Sequence, residues 1–85
     1  MAEFDWHAYG VVIGSEYRKK VVASMVEGPR TPSQLSKEIG VHRNHVSLSL
    51  KELTEVGVVE CLTPELRKGR LFGLTKLGRE ISSKL

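Results

Sequence analysis

The sequence predicts a mainly helical α+β fold, with a three-helix core, a two-stranded β-hairpin and a C-terminal helix. Three observations support this prediction. Apolar residues recur at helical spacing in three segments between Ser15 and Gly57, and capping residues and glycines bound each segment. Only Gly40 and Val41 separate the second of these segments from the third. After Gly57 the helical period gives way to short segments rich in apolar and β-branched residues, which is typical of strands.

Length and composition narrow the class of protein. The 85 residues suffice for one small domain, which we place at residues 1–85. Thirteen Lys and Arg against ten Asp and Glu give a net charge of +3, which is mildly basic. The single Cys61 excludes an intramolecular disulfide and a multi-cysteine zinc site, and no apolar run approaches the ~20 residues of a membrane span. We therefore expect a cytoplasmic binding module, not an enzyme, with no cofactor, small-molecule substrate or membrane partner.

Local signals place the first two core helices. Ser15 is a good N-cap for the first helix, and Gly28 with the proline after it ends that helix. Thr31 caps the second helix, with Pro32 at its first position. Gln34, three residues after the cap, completes a capping box.

The third helix follows after a very short turn. His42 stands where a cap is needed, and Val46, Leu50 and Leu53 mark one buried face. Two helices joined by a short turn that contains glycine form the helix-turn-helix pattern, which we place at residues 31–57.

A β-hairpin is predicted over residues 58–74. Its two strands are expected at residues 58–63 and 70–74, on either side of a six-residue tip. Arg67 and Lys68 lie in this tip, where no helix face needs them for solubility. A helix-turn-helix followed by a hairpin with a basic tip is the winged-helix arrangement.

The two ends of the chain complete the prediction. Thr75 caps a last helix over residues 75–85. The N-terminal arm, residues 1–14, has two interpretations. We favour a short helix capped by Asp5, and the alternative is a β-strand over residues 9–13.

The order and spacing of these elements resemble those of a known family. The resemblance rests on SEYRKKVVASMVEGPRTPSQLSKEIGV, HVSLSLKELTEVGVVECLTPELRKGR and LTKLGRE, and it runs from about Tyr9 to Ile81. The chain resembles small archaeal winged-helix transcriptional regulators related to the MarR and ArsR groups. The resemblance implies a non-catalytic domain that binds double-stranded DNA, commonly as a dimer. Its third helix would enter the major groove, and its hairpin, the wing, would touch the backbone or minor groove.

The outward face of the third helix carries suitable side chains for this role. At ~100° per residue, the polar residues near its amino end lie opposite the buried face. We expect Arg43 to pair with guanine and Asn44 with adenine. Ser47 is expected to reach a phosphate or a base, Lys51 to reach a phosphate, and His45 to meet a phosphate when it is protonated. The alternative is a plain solvent-exposed helix face.

Further phosphate contacts are predicted outside the third helix. Arg67, Lys68 and Arg70 of the hairpin are expected on the backbone or in a narrow minor groove, which attracts such side chains. Ser33, at the amino end of the second helix, is a further expected contact. Simple solubility is the alternative explanation for the three cations.

Leu48 and the charge of the third helix favour a different function. Related sequences usually have a long polar residue at the position of Leu48. The leucine in this chain either contacts a thymine methyl group or belongs to a protein interface. Glu52 and Glu55 cancel the two cations of residues 41–57. A winged-helix adaptor that binds protein and not DNA is therefore the alternative.

His42 has metal-ligand spacing to the histidine three residues later, but nothing nearby completes a set of metal ligands, so we expect no metal.

An aromatic cluster predicts a dimer contact. Three of the five aromatic residues, Phe4, Trp6 and Tyr9, lie within the first ten positions. We expect Trp6 and Tyr9 to form a homodimer interface together with Ile81 and Leu85 of the last helix. Two recognition helices would then face half-sites about 34 Å apart. The alternative is that Trp6 folds over its own core.

Overall fold

The computed structural model describes residues 3–85 and shows five helices and one antiparallel hairpin within them. The elements in chain order are α1 (Trp6–Ile13), α2 (Glu16–Ser24), α3 (Pro32–Ile39), α4 (Arg43–Glu55), β1 (Val59–Cys61), β2 (Phe72–Leu74) and α5 (Lys76–Ser82). This architecture confirms the predicted fold class. The first two residues of the predicted arm lie outside the described residues. Within residues 3–85, no helix has the length and apolar content needed to cross a membrane.

Capping hydrogen bonds set the boundaries of the helix-turn-helix. Thr31 and Gln34 exchange bonds between side chain and backbone in a complete capping box. Gly40 ends α3 with φ +67°, a left-handed conformation that glycine adopts without strain. His42 begins α4, because its Nδ1 accepts the amide hydrogen of Asn44 at 3.1 Å. The remaining helices also start at the expected caps: Asp5, Ser15 and Thr75.

The N-terminal arm forms a helix, so the strand interpretation is wrong. Asp5 Oδ1 accepts the amide hydrogen of Ala8 at 2.9 Å and starts α1. Ala8 and Val12, one turn apart, are completely buried, and α1 packs against α2 and α4. Burial of this face favours the helix in spite of the glycine in its middle.

The hairpin strands are shorter than predicted. We expected strands over residues 58–63 and 70–74, and each observed strand has three residues. Pairing continues beyond them, since the Leu62 amide donates to the Leu71 carbonyl at 2.7 Å. The Leu71 amide donates to the hydroxyl of Thr63 at 2.9 Å, where a side chain replaces the backbone acceptor. The hairpin tip therefore comprises residues 63–70.

A backbone bridge that the sequence did not predict ties the hairpin to α3. Arg30 and Phe72 exchange two backbone hydrogen bonds, each of 2.9 Å. The Arg30 side chain also donates to Glu38 of α3 at 2.9 Å, and the Ser24 hydroxyl donates to the same carboxylate. The hydrogen bond from Ser24 and, to a lesser extent, the Arg30 guanidinium hold the pKa of the Glu38 carboxyl below its usual range. These contacts fix the position of the hairpin relative to the helix-turn-helix.

The hydrophobic core lies where the helices meet the base of the hairpin. The predicted buried face of α4 is confirmed, because Val46, Leu50 and Leu53 are all buried. Fully buried side chains come from all five helices and the start of the hairpin, and include Val12, Val21, Leu35, Leu53, Val58 and Ile81.

The two ends of the chain differ from the predictions and their alternatives in three respects. Ile81, predicted at a dimer contact, is 0% exposed inside its own core, so it is not available to a second chain in this fold. Trp6 does not fold over the core, because it is 66% exposed. The last helix is also shorter than predicted: α5 ends at Ser82, which leaves Leu85 beyond it.

Candidate nucleic-acid interface

A groove of about 540 Å³ lies between the start of α3, the amino-terminal half of α4 and the hairpin tip. Six of the nine predicted DNA contacts line it: Ser33, Arg43, Ser47, Arg67, Lys68 and Arg70. The other lining residues are Thr31, Pro32, Gly69 and Phe72, so no acidic residue borders it. We call this site the basic groove.

Four cations converge on the basic groove from two separate parts of the chain. Arg43 comes from the first turn of α4, whereas Arg67, Lys68 and Arg70 come from the hairpin tip. All four are exposed, and none of them forms an ion pair with a residue in the range 3–85. Like charges collected in a groove without acidic partners create a positive potential that attracts a polyanion.

The hairpin tip divides its three cations between two roles. The Leu66 amide donates to the Thr63 carbonyl at 3.1 Å, and Arg70 Nε donates back to the Leu66 carbonyl. Arg70 therefore shapes the tip as well as lining the groove. Arg67 and Lys68 are fully available for a ligand, since their side chains make no hydrogen bond to any described residue.

The outer face of α4 continues the site beyond the basic groove. Asn44 lies in an adjoining groove of about 570 Å³ together with Arg43 and Ser47. Lys51 lies in another of about 310 Å³ with Ser47 and Arg70. Because Ser47 borders all three grooves, they meet along α4. The structure thus brings eight of the nine predicted contacts onto one side of the molecule.

His45 is the predicted contact that the structure places apart. It lies on the flank of α4 toward α2, where its ring packs on Tyr17 with 4.8 Å between the ring centroids. It remains exposed but lines none of the three grooves. Within residues 3–85, no group of three His, Cys, Asp or Glu side chains is placed to hold a metal ion.

An ion pair between α2 and α4 changes the charge of the outward face of α4, which we call the recognition face. Arg18 of α2 contacts Glu52 of α4 at 3.1 Å, with the Arg18 side chain only 17% exposed. Arg18 also donates to the Val11 carbonyl of α1. The charge of Glu52 is therefore neutralised on the side facing α2. The outward face of α4 keeps two cations against the single acidic residue Glu55, so this face is positively charged. The sequence count, which included Glu52, had implied that it is neutral.

The sequence comparison identifies the family. Residues 15–60, more than half of the chain, match the sequence model described as bacterial regulatory protein, arsR family. The chain belongs to the arsR family. The match runs from the cap of α2 to β1 and includes the whole helix-turn-helix. No curated protein sequence matches the chain.

Several solved structures of transcriptional regulators are similar in fold to this arsR-family chain. The transcriptional repressor BigR from Xylella fastidiosa has a TM-score of 0.75 and 24% identity over 92% of this chain and 80% of BigR. The homodimeric winged helix-turn-helix DNA-binding domain Mb0332 from Mycobacterium bovis has a TM-score of 0.70 and 16% identity, covering 93% and 69%. Reduced MarR from E. coli has a TM-score of 0.74 and 25% identity, covering 93% and 65%. The chain spans only about half, 49%, of another matched structure.

These findings establish the class of function. A family of regulatory proteins and a winged helix-turn-helix fold together confirm a DNA-binding transcriptional regulator. They do not favour the adaptor alternative. The adaptor hypothesis was supported by Leu48 and by the apparent neutrality of the third helix, and the ion pair between Arg18 and Glu52 weakens the second of these two observations.

Proposed function

We propose that this chain binds double-stranded DNA with α4 in the major groove and the hairpin tip on the flanking backbone or minor groove. The main support is the basic groove, where four cations and no acidic residue surround one concave surface. Phosphate neutralisation by such side chains supplies most of the sequence-independent affinity for DNA.

The positions of the side chains suggest a division of labour within the site. Arg67 and Lys68 contact phosphates and position the domain, because they come from the hairpin tip and not from α4. Ser33 is exposed at the amino end of α3 and lies on the same groove, so it joins the phosphate contacts. Arg43 and Asn44 begin α4 and read base edges, guanine and adenine respectively.

Selection of bound sequences from a random duplex library tests this function. We expect enrichment of one short motif, and an affinity whose logarithm falls linearly with the logarithm of salt concentration. Each neutralised phosphate contributes about 0.9 to the slope. Absence of any enriched sequence would argue for the adaptor and against this proposal.

We further propose that the chain acts as a homodimer through α1 and the chain end. Trp6 is 66% exposed and Leu85 is 48% exposed. Phe4 joins these two regions, since its ring lies 4.7 Å from that of Trp6 and 4.9 Å from the Lys84 ammonium. Clustered exposed apolar groups of this kind mark protein interfaces. Tyr9 packs beside Trp6 at 5.7 Å and completes the patch.

Trp6→Ala tests the dimer. We expect the wild-type protein to sediment as a dimer at high micromolar concentration and the variant to dimerise roughly 30-fold more weakly, as for a typical buried tryptophan hot spot. Leu66→Ala is the matched control, because Leu66 is an exposed apolar residue of the hairpin tip, 42% exposed. This control should leave dimerisation unchanged. A wild-type monomer under these conditions would contradict the proposal.

Three further inferences complete the proposed function. We infer a cytoplasmic location, because the proposed ligand is DNA. We infer an archaeal source from the sequence resemblance, and no catalytic activity from the family and fold, which are those of transcription regulators.

A further inference from the structure

Leu48 is an apolar side chain in the middle of the polar recognition face. It is 55% exposed and belongs neither to the core nor to the apolar residues packed against it. At ~100° per residue it lies nearly opposite the buried residues Val46 and Leu50. Leu48 is therefore not part of the hydrophobic core of its own chain.

The neighbours of Leu48 favour a base contact. Asn44 lies one turn before it, Lys51 one turn after it and Ser47 beside it, and all three are polar and exposed. A protein interface has an apolar core of several residues, which this part of α4 lacks. In the major groove, thymine presents a C5-methyl group next to its O4 acceptor. A leucine surrounded by polar side chains suits that methyl group.

We infer that Leu48 selects thymine at one position of each half-site by contact with the C5-methyl group. The inference rests on the proposed function, since it requires α4 to lie in the major groove. Asn44 and Leu48 are about 6 Å apart along the helix axis, and base steps are about 3.4 Å. The selected thymine therefore lies within about two steps of the base that Asn44 reads.

Deoxyuridine is the probe for this contact. In the duplex enriched from the random library, each thymine is replaced singly by deoxyuridine, which removes the C5-methyl group and preserves base pairing. At one thymine per half-site, we expect the wild-type protein to bind about fourfold more weakly, the equivalent of burying one methyl-sized group. Leu48→Ala should bind the thymine and deoxyuridine duplexes equally, at the lower affinity.

Controls separate this contact from other roles of Leu48. Val26→Ala removes an equally exposed apolar side chain, 58% exposed, in the turn after α2, and should retain the wild-type preference for thymine. Leu48→Ala should unfold at the wild-type denaturant midpoint. Retention of the thymine preference by Leu48→Ala overturns the inference, and so does a wild-type protein insensitive to every deoxyuridine. A change of sedimentation without a change of thymine preference would assign Leu48 to a protein interface. If the library yields no enriched duplex, the proposed function itself fails.

Discussion

Replacing Arg67 and Lys68 together by alanine is expected to weaken duplex binding roughly 30-fold per protomer at 0.15 M salt. Counterion release accounts for about fivefold per phosphate contact at this salt concentration. Both side chains are exposed at the hairpin tip and form no ion pair among the described residues. Their loss should therefore leave the fold unchanged and remove only the contacts to DNA.

The salt dependence of binding measures this effect directly. In a fluorescence anisotropy titration, the double variant should reduce the log–log slope by about 1.8 per protomer, since each phosphate contact contributes about 0.9. The single variant Arg67→Ala is compared with Lys76→Ala as its control. Lys76 is a suitable control because it is exposed on α5 and borders none of the grooves at the site. A slope that responds equally to Lys76→Ala and Arg67→Ala would mean that net charge, and not the basic groove, governs binding.

Arg43 should respond differently from the hairpin cations. We assign it to a base edge, so Arg43→Ala should relax the sequence preference at one base pair as well as weaken binding. The loss should be roughly 1–3 kcal/mol on the preferred duplex and much smaller on a duplex with a changed base at that position. Equal losses on both duplexes would place Arg43 on a phosphate.

The features that the sequence predicted best depend on local chemistry. Thr31 with Gln34, and Gly40 after them, specify the ends of α3 through bonds within a few residues. The outward face of α4 follows from the 3.6-residue period alone, so the exposure of Asn44 and Lys51 could be predicted in advance.

The features that the sequence did not predict depend on contacts between distant residues. Nothing near Arg30 in the sequence indicates its backbone bridge to Phe72, which lies 42 positions later. In the same way, the partner of Glu52 is Arg18, which lies 34 positions earlier in the sequence. The sequence identified Ile81 as an apolar residue of the last helix and led us to expect it at a dimer interface. That it is covered by the core of its own chain emerges only in the folded structure.

The basic groove shows how the two kinds of information combine. Arg43 and Arg67 were each recognisable as candidate contacts, but their convergence requires the hairpin to fold back beside α3. The bridge of Arg30 to Phe72, together with the Arg30–Glu38 pair, holds it there. The site therefore depends on the structural residue Arg30, which does not line the groove but is hydrogen-bonded to Phe72, which does.

Gly78→Ala is expected to lower the free energy of unfolding by about 3 kcal/mol, at the upper end of the range for overpacking. A Cβ atom at Gly78 would lie 2.2 Å from the Val58 carbonyl oxygen and 3.2 Å from Leu74 Cβ. The carbonyl has no freedom to retreat, because it accepts from both the amide and the hydroxyl of Thr75, at 3.0 and 3.2 Å. Relief of the clash would break the cap of α5.

Gly10→Ala is the matched control, with the opposite expected sign. Gly10 lies within α1, and a Cβ atom there has no neighbour within 4 Å. Alanine should therefore stabilise the helix by roughly 0.5–1 kcal/mol. Thermal unfolding at equal protomer concentration and equal assembly state should show the Tm of Gly78→Ala falling by roughly 12–24 °C, and that of Gly10→Ala rising by a few degrees. An unchanged Tm for Gly78→Ala would contradict the close packing of α5 on the base of the hairpin, because that packing leaves no room for a methyl group.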